Sequence, residues 1–92
     1  AGLDYPGVSP IHCFLKDTKR ARYTCATDED ALNAHVMVTK YENLNPSLEP
    51  SHAFAEAIKI APKLDRDTII IVNSCGDAKK DRDILKERLG KK

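Results

Sequence analysis

Side chains able to do chemistry gather where an apolar run meets a small polar elbow, at Val72-Asn73-Ser74-Cys75-Gly76-Asp77. Ser74 can donate a hydrogen bond, Cys75 can donate a weaker one or react as a thiolate, and Gly76 lets a backbone approach a ligand or take a positive φ. Cys75 also stands just before a predicted helix, whose free N–H groups can activate a thiol. A reactive thiol and a small buried residue lining the elbow are both open readings of it. Glu49, within Leu48-Glu49-Pro50-Ser51-His52, is either a solvated first-turn carboxylate that favours the helix dipole or a buried functional one. His52 faces the same choice, and spacing favours a structural role. His12-Cys13 supplies the residue types of a base and a nucleophile, but neighbours on a helix point about 100° apart and do not converge. Three Cys and three His lack the local spacing of a zinc site. Lys79-Lys80 alternates with Asp77, Asp81 and Asp83, which reads as a solvated face, and no phosphate-cradling glycine loop is present.

These groups need elements to position them. Ile69, Ile70, Ile71 and Val72 are consecutive and β-branched, which predicts a strand buried on both faces, as in a parallel sheet between helices. Ligands in such folds sit at the carboxyl end of a strand, which is where the elbow lies. Residues 1 to 9 form a loop, and Ser9-Pro10 reads as an N-cap followed by Pro at the first helical position, opening a short helix from about Ile11 to Lys16. Arg20 to Thr27 alternates with the period of a half-buried strand. Thr27-Asp28-Glu29-Asp30 resembles a capping box with Asp30 in place of Glu, so a helix is predicted from about Asp28 to Glu42. Asn43 tolerates a left-handed C′ position, and Pro46 acts as a stop. After a loop over 43 to 50, Phe54, Ala57, Ile58 and Ala61 mark an amphipathic helix from Ser51 to Ala61 that Pro62 closes. A last helix is expected from about Ala78 to Leu89, with Gly90 as its cap. The predicted order is αβααβα in an α/β fold. Two strands alone cannot cover a doubly buried one, so more sheet is expected from another chain or from preceding residues.

The totals bound the function. A chain of 92 residues is one domain at most and buries only about two-thirds of its unfolded surface. Lys and Arg number 15 against 14 Asp and Glu, a formal charge of +1 with the signs interspersed, so no basic face for a phosphate backbone is evident. Two Phe, three Tyr and no Trp leave little for base stacking. Nucleic-acid binding is therefore not expected. Neither is membrane insertion, since the longest apolar run falls far short of the roughly 20 residues a span needs. An odd number of cysteines without CxxC spacing fits a reducing compartment. The opening residues lack an initiator Met, a basic stretch and an apolar stretch, so they are not read as a signal peptide but as the interior of a longer chain. An apolar content of 41% in periodic segments is too high for a disordered tail.

Four motifs carry a resemblance: Ala1 to Pro10 as A-G-L-D-Y-P-G-V-S-P, Tyr23 to Leu32 as Y-T-C-A-T-D-E-D-A-L, Leu48 to Ala53 as L-E-P-S-H-A, and Val72 to Gly76 as V-N-S-C-G. Together and in this order they resemble the C-terminal portion of the tryptophan synthase β chain. The resemblance implies a pyridoxal-phosphate enzyme of fold type II that condenses L-serine with indole to give L-tryptophan. It implies the C-terminal piece of a three-layer sandwich with a mainly parallel sheet, residues 1–92 forming a single segment and residues 1–10 an active-site loop. By the family's motifs, the position of Cys75 is a Ser that hydrogen-bonds the pyridine nitrogen of the cofactor, with Ser74 and Gly76 in the same wall. Glu49 matches the carboxylate beside the ring, and Asp4 an Asp that helps close the site over substrate. Backbone carbonyls of Tyr5 and Gly7 match those that bind a monovalent cation, sodium or potassium. The implied partners are the remainder of the β chain, an α chain that delivers indole, and a second β chain in a homodimer. The implied location is the cytoplasm, or a plastid in a eukaryote.

This chain departs from the family's N-[LI]-S-G-R-G-D-K-D run, reading Asn73-Ser74-Cys75-Gly76-Asp77-Ala78-Lys79-Lys80-Asp81. A thiol is a weaker donor than a hydroxyl, and a one-residue shift would bring Ser74 into its place. The family's E-G-I-I-P turn is here Glu42-Asn43-Leu44-Asn45-Pro46. The lysine that attaches the cofactor and the phosphate loop belong to family motifs upstream, and no Lys here occupies that motif. These residues alone are therefore expected not to catalyse the reaction. The alternative is a stand-alone, non-catalytic α/β binding or interaction module derived from that region.

Overall fold

A computed structural model describes residues 3, 7–76 and 78–90. Helix α1 spans Pro10–Asp17, α2 Asp28–Glu42, α3 Leu48–Ile60 and α4 Arg82–Leu89, with single 3₁₀ turns at Ala61–Lys63 and Ala78–Asp81. Local chemistry explains each boundary. The Ile11 N–H donates to Ser9 Oγ at 3.1 Å, and Pro10, which has no N–H to satisfy, takes the first helical position. Thr18 closes α1 by donating its N–H and its hydroxyl to the Phe14 carbonyl, at 2.9 and 2.7 Å.

Helix α2 occupies the predicted residues. Asp30 N–H donates to Thr27 Oγ1 at 3.0 Å and Thr27 N–H to Asp30 Oδ2 at 3.1 Å, a reciprocal capping box. The hydrogen bonds from the Thr27 backbone and hydroxyl hold the Asp30 carboxyl below its ordinary range. At the other end Asn43 takes φ 55°, the left-handed conformation expected of it.

The buried stripe of α2 is Ala31, Ala34, His35 and Val38, at i, i+3, i+4 and i+7, and it packs on α3. Small residues there let the two helices approach closely. His35 is buried with Nδ1 on the Pro46 carbonyl at 2.9 Å, and because a carbonyl only accepts, this nitrogen carries the proton. Helix α3 begins three residues ahead of the predicted Ser51, at Leu48, so Glu49 lies inside its first turn. The last predicted helix is shorter, beginning as a 3₁₀ turn at Ala78 and becoming α-helical only from Arg82, with Gly90 closing it at φ 67°.

The α/β expectation is overturned. Among the described residues there is no strand and no sheet, so neither the αβααβα order nor a mainly parallel sandwich with two strands is present. Arg20 to Thr27 and Ile69 to Val72 lie outside every helix and pair with no strand. The reason is the requirement for a partner about 4.8 Å away to take up backbone N–H and C=O groups. Sequence period describes a strand's faces but does not supply its neighbour. Nor is the second run doubly buried here: Ile69 and Ile71 are 85% and 90% exposed, Ile70 39%, and Val72 half-buried. The buried apolar residues among those described are Ala31, Ala34, Val38 and Ala78, with Pro46 and Pro50. Among the described residues no helix is long and apolar enough to cross a membrane.

Candidate functional site

The elbow is clasped to the start of α3, and the clasp begins with a serine that caps nothing. Ser47 occupies the N-cap position of α3, yet its side chain makes no capping bond. Its Oγ donates instead to the carbonyl of Cys75 at 2.9 Å, while Ser51 Oγ donates to the Ser47 carbonyl at 2.8 Å. Both serines are fully buried. The free N–H at the head of α3 is taken from across the fold, Leu48 donating to Asp81 Oδ2 at 3.0 Å. Asp81 thus does what a local N-cap side chain ordinarily does. Ala78 N–H donates to the Asn45 carbonyl at 3.1 Å, a second link between the same two segments.

Gly76 permits this approach. It takes φ 72°, and a Cβ built there would stand 3.4 Å from Ser47 Oγ. With the backbone held on one side, the Ser74 and Cys75 residues are left exposed. Cys75 is thus exposed in this structure rather than buried.

Charge continues the clasp. Lys80 Nζ donates to Glu49 Oε1 at 2.7 Å and to Asp81 Oδ1 at 2.9 Å. Glu49, and secondarily Asp81, hold the Lys80 ammonium above its ordinary pKa. Asp81 is almost wholly buried, its side chain 4% exposed, against 51% for Lys80 and 21% for Glu49. A buried carboxylate accepting from both a backbone N–H and an ammonium is satisfied rather than stranded.

Two clefts adjoin this assembly and share His52. One, of about 250 Å³, is lined by Glu49, His52, Leu48, Asp28 and Arg88 among others. The other, of about 360 Å³, runs along α3 between Thr24–Ala26 and Ile70–Asn73. His52 Nδ1 donates to the Leu48 carbonyl at 2.9 Å, in keeping with a structural role. Its i, i+3 spacing from Glu49 on α3 puts the two on one face.

The predicted site residues are therefore partly gathered. Ser74, Cys75 and Gly76 form one elbow, joined through Ser47, Lys80 and Asp81 to the turn that carries Glu49. Gly7 is exposed with open space around it, far less constrained than Gly76. Asp4 and Tyr5 lie outside the described residues, as does Asp77 in the elbow itself. His12 does not meet Cys13 as a base meets a nucleophile, but shares a hydrogen bond of 2.8 Å between Nδ1 and the hydroxyl of Tyr23. Among the described residues no cluster of three or more His, Cys, Asp or Glu could hold a metal ion.

The residues missed by sequence reasoning are Ser47, Lys80 and Asp81. Lys80 and Asp81 both read as part of a solvated face. A faint signal existed at Ser47, which directly precedes the Leu48-Glu49-Pro50 start that the structure uses.

Comparison with known proteins bears on what this arrangement serves. Tryptophan synthase β chains match almost all of the chain: that of Fusobacterium nucleatum at 53% identity over 91 residues, which is 99% of this chain. The chain resembles a segment of the tryptophan synthase β chain. Those of Cereibacter sphaeroides and Bordetella petrii are each 51% identical over 90 residues, 98% of this chain. No family model matches. The chain spans only 22–23% of the length of these tryptophan synthase β chains. The resemblance expected from the four motifs thus extends through the elbow, the clasp and α1 to α4 alike.

Proposed function

We propose that this chain is the C-terminal segment of a tryptophan-synthase-β-like lyase, and that its elbow forms the wall of a pyridoxal-phosphate site against the pyridine nitrogen. The observation that carries the reading is the likeness to β chains across 99% of the chain. The elbow's chemistry fits the group: a hydroxyl and a thiol, both donors, stand exposed on a backbone held from behind by Ser47. Pyridoxal phosphate, when bound, supplies an electron-withdrawing ring that stabilises negative charge at the substrate carbon beside the amine.

This chain's own residues orient and hold. Ser74 or Cys75 donates to the ring nitrogen, the hydroxyl more strongly than the thiol. Glu49 presents a carboxylate beside the ring, and Gly76 takes the left-handed φ that turns the elbow. Asp4 assists closure over the amino-acid substrate, and the carbonyls of Tyr5 and Gly7 bind a sodium or potassium ion. The reaction is the condensation of L-serine with indole. The partners are the rest of the β chain, an α chain and a second β chain, in the cytoplasm. The segment by itself is inactive, because attachment of the cofactor requires a lysine that none of its residues supplies.

The test is a chimera in which this chain replaces the matched 91 residues of the Fusobacterium nucleatum β chain. The expected result is a folded protein with the absorbance of bound pyridoxal phosphate and formation of tryptophan from L-serine and indole, neither being seen with the isolated chain. A folded chimera that binds no cofactor would overturn the reading in favour of a stand-alone binding module.

A further inference from the structure

We infer that Lys80 and Asp81 are positioning residues for Glu49, a clasp that fixes the carboxylate of α3 relative to the elbow. The inference rests on the reading of Glu49 and the elbow given under Proposed function.

The first turn of α3 carries Glu49, whose carboxylate is reached by a side chain 31 residues further along the chain. A Glu side chain on a first turn has several rotamers open to it, and a productive site needs one. Lys80 Nζ meets Glu49 Oε1 at 2.7 Å, but Lys80 is itself a flexible, half-exposed side chain. What holds Lys80 is Asp81, whose carboxylate receives the ammonium through both oxygens, at 2.9 and 3.1 Å. What holds Asp81 is burial and the Leu48 N–H at 3.0 Å. The chain of contacts is closed: Leu48 and Glu49 are neighbours, so Asp81 grips the backbone of the turn whose side chain Lys80 grips.

The elbow is tied into the same frame. Ala78, three residues before Asp81, bonds to Asn45, and Cys75 receives the hydroxyl of Ser47. A displacement of the Ala78–Asp81 turn therefore moves the elbow and Glu49 together. The two walls that the proposed function assigns to one cofactor keep a fixed spacing whatever the exposed segment from 64 to 71 does.

The experiment uses the same chimera with Lys80→Met, Lys80→Arg, Asp81→Asn and Asp81→Ala. Lys80→Met removes the charge and the donor while keeping the apolar stem. Asp81→Asn keeps an acceptor for Leu48 N–H but loses the charge that holds Lys80, and Asp81→Ala loses both. Lys80→Met and Asp81→Ala should lower kcat about 10- to 100-fold with little change in KM for L-serine, as a small misplacement of a working group does. Both should also change the absorbance spectrum of the bound cofactor. Lys80→Arg should restore most of kcat, and amide exchange at Leu48 should quicken about tenfold in Asp81→Ala but not in Asp81→Asn. If the unsubstituted chimera binds the cofactor and these variants match it in kcat, spectrum and pH profile, the clasp is structural only and the inference fails alone. If the unsubstituted chimera folds but binds no cofactor, the proposed function fails and takes this inference with it.

Discussion

Thr27 and Asp30 exchange two hydrogen bonds at the head of α2, and that exchange fixes how the helix responds to acid. Asp30 has its folded pKa depressed, so its contribution is complete above the unfolded value of about 4 and is lost as pH falls through the folded value. Helix content followed by circular dichroism should therefore hold to about pH 4 and then fall, and Asp30→Asn should flatten that acid limb. Replacing the other half of the box, Thr27→Ala, should cost about 0.5 to 2 kcal/mol at neutral pH. Lys80 responds in the opposite sense. Its folded pKa is raised, so its pairing is fully present below the unfolded value and is lost only as pH rises through the folded one, above about pH 10. Glycines separate by environment as well. Gly76 and Gly90 both have positive φ, but a Cβ at Gly90 meets nothing while one at Gly76 meets Ser47. Gly90→Ala and Gly76→Ala should each carry the left-handed strain of about 1–2 kcal/mol, since a Cβ at Gly76 makes only ordinary contact with Ser47 Oγ at 3.4 Å. Similar melting shifts are therefore expected for the two, and a markedly larger shift at Gly76 would show that Ser47 cannot accommodate the added methyl.

The elements divide by how local their signals are. Helix α2 was legible end to end because Thr27, Asp30 and Asn43 act within a few residues of the ends they define. The head of α3 was misplaced by three residues because its capping acceptor, Asp81, is 33 residues away and its own Ser47 faces another task. The run Ile69 to Val72 was misread for a different reason. Four β-branched residues state a demand for burial, and of these only Val72 is even half-buried. The candidate site shared both fates: Ser74, Cys75, Gly76 and Glu49 were legible from motifs, whereas the contacts that join them were not. Ser47→Ala should cost about 0.5–1.5 kcal/mol, since it strands the Cys75 carbonyl, and it should raise amide exchange in both the elbow and the first turn of α3. A change confined to α3 would mean the two segments move independently.

At the scale of the whole molecule, the large apolar side chains of the described residues are more often exposed than buried. Ile11, Phe14, Ile69 and Ile71 are each at least 60% exposed, while, prolines aside, three of the four buried aliphatic side chains among the described residues are alanines. Such a surface favours association. The isolated chain should therefore sediment as concentration-dependent oligomers, and Ile69→Lys with Ile71→Lys should shift it toward monomer. Unchanged sedimentation would place the sticky surface elsewhere, on α1. Three exposed cysteines make a reductant necessary in that measurement, since any of them can cross-link two copies.

The clasp also has a genetic consequence. Its two halves, residues 45 to 49 and 75 to 81, are separate stretches of message, but they are one object in space. A recombination event between related genes that fell in the interval between them would pair one lineage's Glu49 with another's Lys80 and Asp81. Crossovers before Asn45 move the whole object intact, so those are the breakpoints that descent and gene shuffling should tolerate.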